Sequence, residues 1–268
     1  MPRFRSNIDM SEDELLDGLM NGTIQIVAAS PSVTSTVQPP KIPISQIPWE
    51  CRGTQTTIRY DLAPPGEPLG LDVEFQNYKV PGEKFKHRIG CMAIVNTAGE
   101  VVFHAYFAYG NVPGVQKRYP GAQFMVEAPD FLFQNGALQA RKAEKAVKEL
   151  VRGREIVVHD KTHDQTCFFY ETDALKPSNS VTIVDTQRMY SHLAPNGRPS
   201  LSRAYSTMFD DTIQNGPHSP VEDARTAVKL HQLEYPYDRI AEAKKLASKS
   251  RPKMNPQKPL QRRPGDCV

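Results

Sequence analysis

The chain has 268 residues, 39% hydrophobic and 24% charged, enough for one domain or two but lean in apolar residues for a wholly packed globule. No run approaches the roughly 18 to 20 apolar residues of a membrane span, which argues against a membrane-inserted helix. Four scattered cysteines (Cys51, Cys91, Cys167, Cys267) without a C-x-x-C pair point to free thiols, not a disulfide framework or zinc ribbon.

Met1-Pro2-Arg3-Phe4-Arg5 leads into acids rather than an apolar core, so no secretory signal is visible. The expected location is intracellular, in nucleus or cytoplasm. Charge is unevenly spread. From Lys244 to Val268 there are eight basic residues and one acid, a local net of +7, and the remainder carries −4. An acidic body with a basic tail suits an anionic polymer as partner, a nuclear localisation patch, or a solvated tail.

In chain order, Ser11-Glu12-Asp13-Glu14 before Leu15, Leu16 and Leu19 predicts a capped amphipathic helix ending near Gly22. Residues 29–68 are rich in Ser, Thr and Pro, so 1–68 reads as an extended N-terminal arm that could carry Trp49 to the main domain. That arm is a candidate docking segment for a protein partner. The compact domain is expected over 69–235, and 236–268 as a helix running into the basic tail.

The domain opens on Leu69-Gly70-Leu71-Asp72-Val73-Glu74-Phe75. Residues i and i+2 of a strand share a face, so Asp72 and Glu74 project side by side while Leu71, Val73 and Phe75 face the other way. Two adjacent carboxylates raise each other's pKa unless a cation neutralises them, and hard divalent ions take such ligands. The alternative is an exposed edge strand with alternating acids.

His87–Asn96 and Glu100–Phe107 flank Thr97-Ala98-Gly99 as a hairpin. Residues 136–152 form a helix by periodicity, stopped at Gly153, and Ile156–Val158 is a buried strand. Thr162–Tyr170 is expected to be helical, Val181–Val184 a strand, and 186–192, 200–209 and 219–233 helices. Three strands followed by alternating helix and strand give an α/β layer with a mixed sheet.

Two further groups carry chemistry. Asp164 follows a strand end, where open α/β sheets place their sites, and near a helix start an acid suits the helix dipole. His159 and His163 are spaced i, i+4 as a zinc pair would be, without a third ligand at a recognisable spacing. In His218-Ser219-Pro220-Val221-Glu222-Asp223, a capping box explains Ser219, Pro220 and Glu222. It does not explain Asp223, which shares a helix face with Ala227 and Leu230, or His218, placed on a loop where it can titrate.

Together, Asp-x-Glu on a first strand, an Asp after a later strand and His-x-x-x-x-Asp at a last helix resemble the DEDDh exonucleases of the ribonuclease H-like superfamily. Ile213 to Arg225 resembles the third motif of the RNA exonuclease 4 branch, which includes the interferon-stimulated exonuclease. Val184-Asp185-Thr186-Gln187 and the spacing of His159 to Asp164 resemble that branch too. The resemblance covers about 69–235. It implies a mixed five-stranded sheet flanked by helices, and 3′–5′ exonuclease activity on RNA or single-stranded DNA. It implies metal ligands at Asp72, Glu74, Asp164 and Asp223 for two Mg²⁺ or Mn²⁺ ions, and a general base at His218.

Departures from the branch fall at Val158, at His163 and in the loop Gln76–Lys86. Phe85, Lys86, Lys117, Arg118 and Tyr119 interleave aromatic and basic character and are candidates for stacking and phosphate contact, or for ordinary packing. A binding module that holds nucleic acid or protein without turnover is the rival reading.

Overall fold

A computed structural model describes residues 55–250, except 122, 123, 125, 215 and 217. The expected helix at 11–22, Trp49 and the tail beyond 250 lie outside these residues.

Among the described residues the sheet has seven strands: β1 (Leu69–Lys79), β2 (Lys86–Val95), β3 (Val101–Ala108), β4 (Gln116–Arg118), β5 (Leu138–Gln139), β6 (Glu155–Val158) and β7 (Thr182–Asp185). Their order is β5-β3-β2-β1-β6-β7, with β4 pairing β1. β1, β2 and β3 form the expected antiparallel meander, and β6 and β7 add in parallel. These five are the mixed sheet read from the sequence; the short β4 and β5 extend it.

One face of the meander packs Leu71, Val73, Met92, Ile94, Phe103 and Ala105 against Ala143, Val147 and Leu150 of α1 (Ala140–Val151). α1 starts later than its periodicity suggests because Leu138–Gln139 is drawn into pairing with β3. The segment 55–68, assigned from its prolines to the arm, lies against the sheet. Gln55 bridges to His104, the Arg59 N–H donates to the Val102 carbonyl, and Ala63 is buried in the core.

The other face receives α5 (Pro220–Glu234), whose Ala224, Ala227 and Val228 pack on Val95 and Val157. Gly70 makes this close approach possible. A Cβ there would come within 2.3 Å of Val228 Cγ2 and 2.7 Å of the Ala224 carbonyl. α2 (Lys161–Asp164) is one short turn, and the predicted helix to Tyr170 does not form. The chain is diverted because the Cys167 carbonyl accepts the Ile89 N–H.

α3 (Thr186–Met189) and α4 (Leu201–Phe209) match the expected positions, and Tyr190, Leu201, Ala204 and Leu230 form a small cluster joining α4 to α5. A second unit, Tyr237–Val268, contains α6 (Arg239–Ser250). The Asp238 carboxylate caps α6 by accepting the N–H groups of Ile240 and Ala241. No helix among the described residues is long and apolar enough to cross a membrane.

Candidate active site

Because β2 occupies one edge of β1 along its length, β6 and β4 must share the other. β6 pairs with Leu69 and Gly70, β4 with Asn77 to Lys79. Residues 71–76 are therefore left without a strand on that edge, and Asp72 and Glu74 stand in the gap. A bulge in β2 sits beside Glu74, at Gly90, where a Cβ would lie 2.7 Å from the Glu74 carbonyl.

Four carboxylates meet at this gap. Glu74 is 8% exposed, Asp164 4% and Asp223 6%, and Asp72 keeps partial solvent contact. One carboxylate oxygen each of Glu74 and Asp223 lies within 4.8 Å of a ring nitrogen of His218 and of the other. Asp72 and Asp164 are not in this tight triad but belong to the same electrostatic cluster. Burial first, then Asp223, Asp164 and Glu74, pushes Asp72 well above the usual carboxylate range. Burial, then Asp160, Glu74 and Asp185, does the same to Asp164. Burial, with repulsion from Asp223, raises Glu74 to about 8, and burial raises Asp223 to about 6 against the Gln214 hydrogen bonds and His218.

No lysine or arginine among the described residues pairs with any of the four. The Asp164 Oδ2 is buried with no hydrogen-bond partner. A buried carboxylate without a donor, beside three more acids, is a donor set that fits hard divalent cations.

His218 sits on the loop before α5, its side chain 30% exposed, with Nδ1 3.7 Å from Asp223 Oδ2 and its ring 5.3 Å from that of Phe124. The Gln214 amide donates to both oxygens of Asp223, at 2.9 and 3.0 Å, and stands 3.3 Å from His218 Nδ1. Gln214 holds this place with a left-handed backbone, φ 59°. Its part in the site has no signal in the sequence beyond its presence within the third motif.

Asp185 is a second residue whose role the sequence left open. Its carboxylate accepts the N–H groups of Asp160 and Gln187, fixing the loop that carries Asp164 and capping α3. Asp164 lies in the first turn of α2, near the helix start as expected, although that single turn is the whole helix. One expectation fails: Ser219 is the N-cap residue of α5 but makes no side-chain capping bond.

The zinc pair is not assembled either. Both ring nitrogens of His159 are engaged, by Thr186 Oγ1 at 2.9 Å and the Pro199 carbonyl at 3.0 Å. His163 is exposed and packs its ring against Phe75 and His87. Of the stacking candidates, Phe85 is exposed near Lys79, and Tyr119 stacks on Phe131 in a side cluster.

No protein-family profile matches the chain. It is 25% identical over 169 residues to RNA exonuclease 4 of Debaryomyces hansenii, covering 63% of this chain and 58% of that protein. It is 25% identical over 167 residues to RNA exonuclease 4 of Xenopus tropicalis, covering 62% and 37%. The match thus spans less than two thirds of the length of either relative. Its fold matches the Neurospora crassa Pan2 catalytic unit (protease and nuclease domain), with a TM-score of 0.52 and 19% identity over 75% of this chain and 32% of that one. The chain is thus an α/β domain similar in sequence to the RNA exonuclease 4 proteins and similar in fold to a Pan2 catalytic unit.

Proposed function

We propose that the chain is a divalent-metal-dependent 3′–5′ exonuclease that releases nucleoside 5′-monophosphates from RNA or single-stranded DNA. The observation that carries this reading is the cluster of Asp72 with the buried Glu74, Asp164 and Asp223, which no lysine or arginine among the described residues balances. The name shared by the sequence relatives supports RNA as the polymer.

Asp72, Glu74, Asp164 and Asp223 would hold two Mg²⁺ or Mn²⁺ ions, which supply charge neutralisation for a phosphodiester and acidify water. The open edge of β1 lets a strand end reach these acids. His218, partly exposed on a loop and beside Glu74 and Asp223, takes the proton of the attacking water. Phe124 and Gln214 restrain its ring, and Asp185 restrains the Asp164 loop.

The test uses 5′-labelled single-stranded RNA and DNA of one sequence, with Mg²⁺, Mn²⁺ or EDTA, and Asp72→Ala as control. A metal-dependent ladder shortening from the 3′ end, absent in the variant, is expected, with RNA degraded faster. Full activity of Asp72→Ala would sink the metal assignment. Retained binding without degradation would replace the enzyme by a binding module.

A further inference from the structure

Arg88 lies across from Gln76 in the β1–β2 ladder and is 4% exposed. Its guanidinium lies 4.1 Å from the ring centre of Tyr109 and 5.0 Å from that of Tyr78. One nitrogen donates to Gln76 Oε1 at 3.2 Å, while Nε is buried with no hydrogen-bond partner among the described residues. Lys117 stands across from Tyr78 in β4, its ammonium donating to the Tyr109 carbonyl at 3.1 Å and to Asn111 Oδ1 at 2.7 Å. Both acceptors are neutral.

Neither cation pairs with a carboxylate among the described residues. Burial lowers the pKa of Arg88; burial, then repulsion from Arg88, brings Lys117 down to about 8. Arg88 is buried and Lys117 partly buried; a buried charge without a counter-charge is strongly unfavourable, so keeping Arg88 here calls for a ligand that supplies one, with Lys117 beside it.

Two neighbouring cavities offer the space. One, of about 230 Å³, is lined by Arg88, Tyr78, Phe169 and Tyr170, with Lys86 paired to Glu83 at its side. The other, of about 300 Å³, is lined by Lys117, Gln76, Tyr119 and Phe131, and Tyr109 and Gly110 border both. At about 3.3 Å per strand residue, Gln76 and Tyr78 stand roughly 7 and 13 Å beyond Glu74 on β1. The cations thus follow directly on the acidic cluster.

We propose that Arg88 and Lys117 bind phosphate groups of a nucleic-acid strand, whose bases stack on the adjoining rings, as a subsite next to the acidic cluster. Phosphate recognition follows from the two cavities and their unpaired cations; that a strand carries the phosphate rests on the nuclease reading. Cations interleaved with aromatic rings are the usual composition of a single-strand groove.

The test works in EDTA, so that nothing is degraded. Full-length wild type, Arg88→Met and Lys117→Met are titrated with a labelled single-stranded hexanucleotide. Their melting is followed with inorganic phosphate and with a 5′-mononucleotide. Each variant is expected to bind the hexanucleotide about tenfold or more weakly, and phosphate to raise the melting temperature of the wild type but not of Arg88→Met. Arg88→Met is expected to melt no lower than the wild type, because an apolar chain replaces an unpaired buried charge.

Unchanged hexanucleotide affinity in both variants overturns the subsite. A much lower melting temperature for Arg88→Met assigns the guanidinium to structure and overturns it too. A mononucleotide that binds as tightly as the hexanucleotide overturns the strand in favour of a free phosphate compound. A chain that binds the strand through Arg88 yet never degrades it with Mg²⁺ or Mn²⁺ sinks the nuclease reading and leaves the subsite standing.

Discussion

Glu144 and Asp164 are both buried acids, and they could hardly be treated more differently. Glu144, fully buried on α1, accepts the N–H groups of Phe169, Tyr170 and Glu171 and the hydroxyl of Tyr109. Asp164 has an oxygen with no partner and stands among other acids. Burial alone therefore does not mark a functional carboxylate. A structural acid has its lone pairs filled by the fold; an acid kept for a cation has them left open. Glu144 ties the segment after α2 to α1, a job that needs all its bonds at once.

The comparison breaks most sharply on activity. Asp164→Asn should lower exonuclease turnover on the order of 10³-fold or more while leaving the melting temperature equal or higher, because a neutral amide of the same shape is easier to bury among acids than a carboxylate. Turnover and melting temperature measured on the same preparation decide this, and a large loss of stability would place Asp164 beside Glu144 as structural. His218→Asn should cut turnover with little change in strand affinity, and an equal loss of both would argue against a general base.

Glu144→Ala should show the opposite split. It strands three N–H donors and a tyrosine hydroxyl, at a cost of about 3 kcal/mol or more, a large part of a total stability of roughly 5–15 kcal/mol. Urea denaturation reads it directly. A near-neutral result would mean that water reaches those donors.

A smaller effect is expected from pH. Glu74 is raised from its ordinary 4.5 to about 8, so the folded chain keeps a proton that the unfolded chain has lost. In EDTA, the stability Glu74 contributes is full below about 4.5 and falls as pH rises towards 8, by up to about 1.4 kcal/mol per unit. His104, pulled down to about 4 by burial and then by Arg225, acts in the opposite direction below its ordinary 6.5. The clean window is therefore pH 6.5 to 8. Melting temperature should fall across it in EDTA and recover with Mg²⁺, and a flat profile would show that Glu74 is already ionised and balanced.

The smallest effect is expected from removing 251–268. Turnover at low salt should change little, while strand affinity loses part of its salt dependence. An unaltered salt slope would leave those basic residues without a role in binding.

Local pattern was enough for much of this protein. The alternation in Leu69–Phe75, the hairpin around Gly99, the α1 stripe of Ala143, Val147 and Leu150, and the buried strand at Ile156–Val158 all form near their expected places. Asp72, Glu74 and Asp223 stood out because a carboxylate on a core strand or helix stripe conflicts with burial, whereas Asp164 and His218 were singled out by their places after a strand and before a helix and by the family resemblance. Tertiary structure decided the rest. Gly70 shows why Asp223 can approach Asp72, but only once α5 lies on β1. The helix expected to Tyr170 stops at Asp164 because Cys167 bonds to β2, a partner 78 positions away in the chain. Gln214, Asp185, Arg88 and Lys117 carry no local periodicity. Their meaning lies in which polar atoms they meet, or fail to meet, and only the folded chain brings those atoms within hydrogen-bonding range.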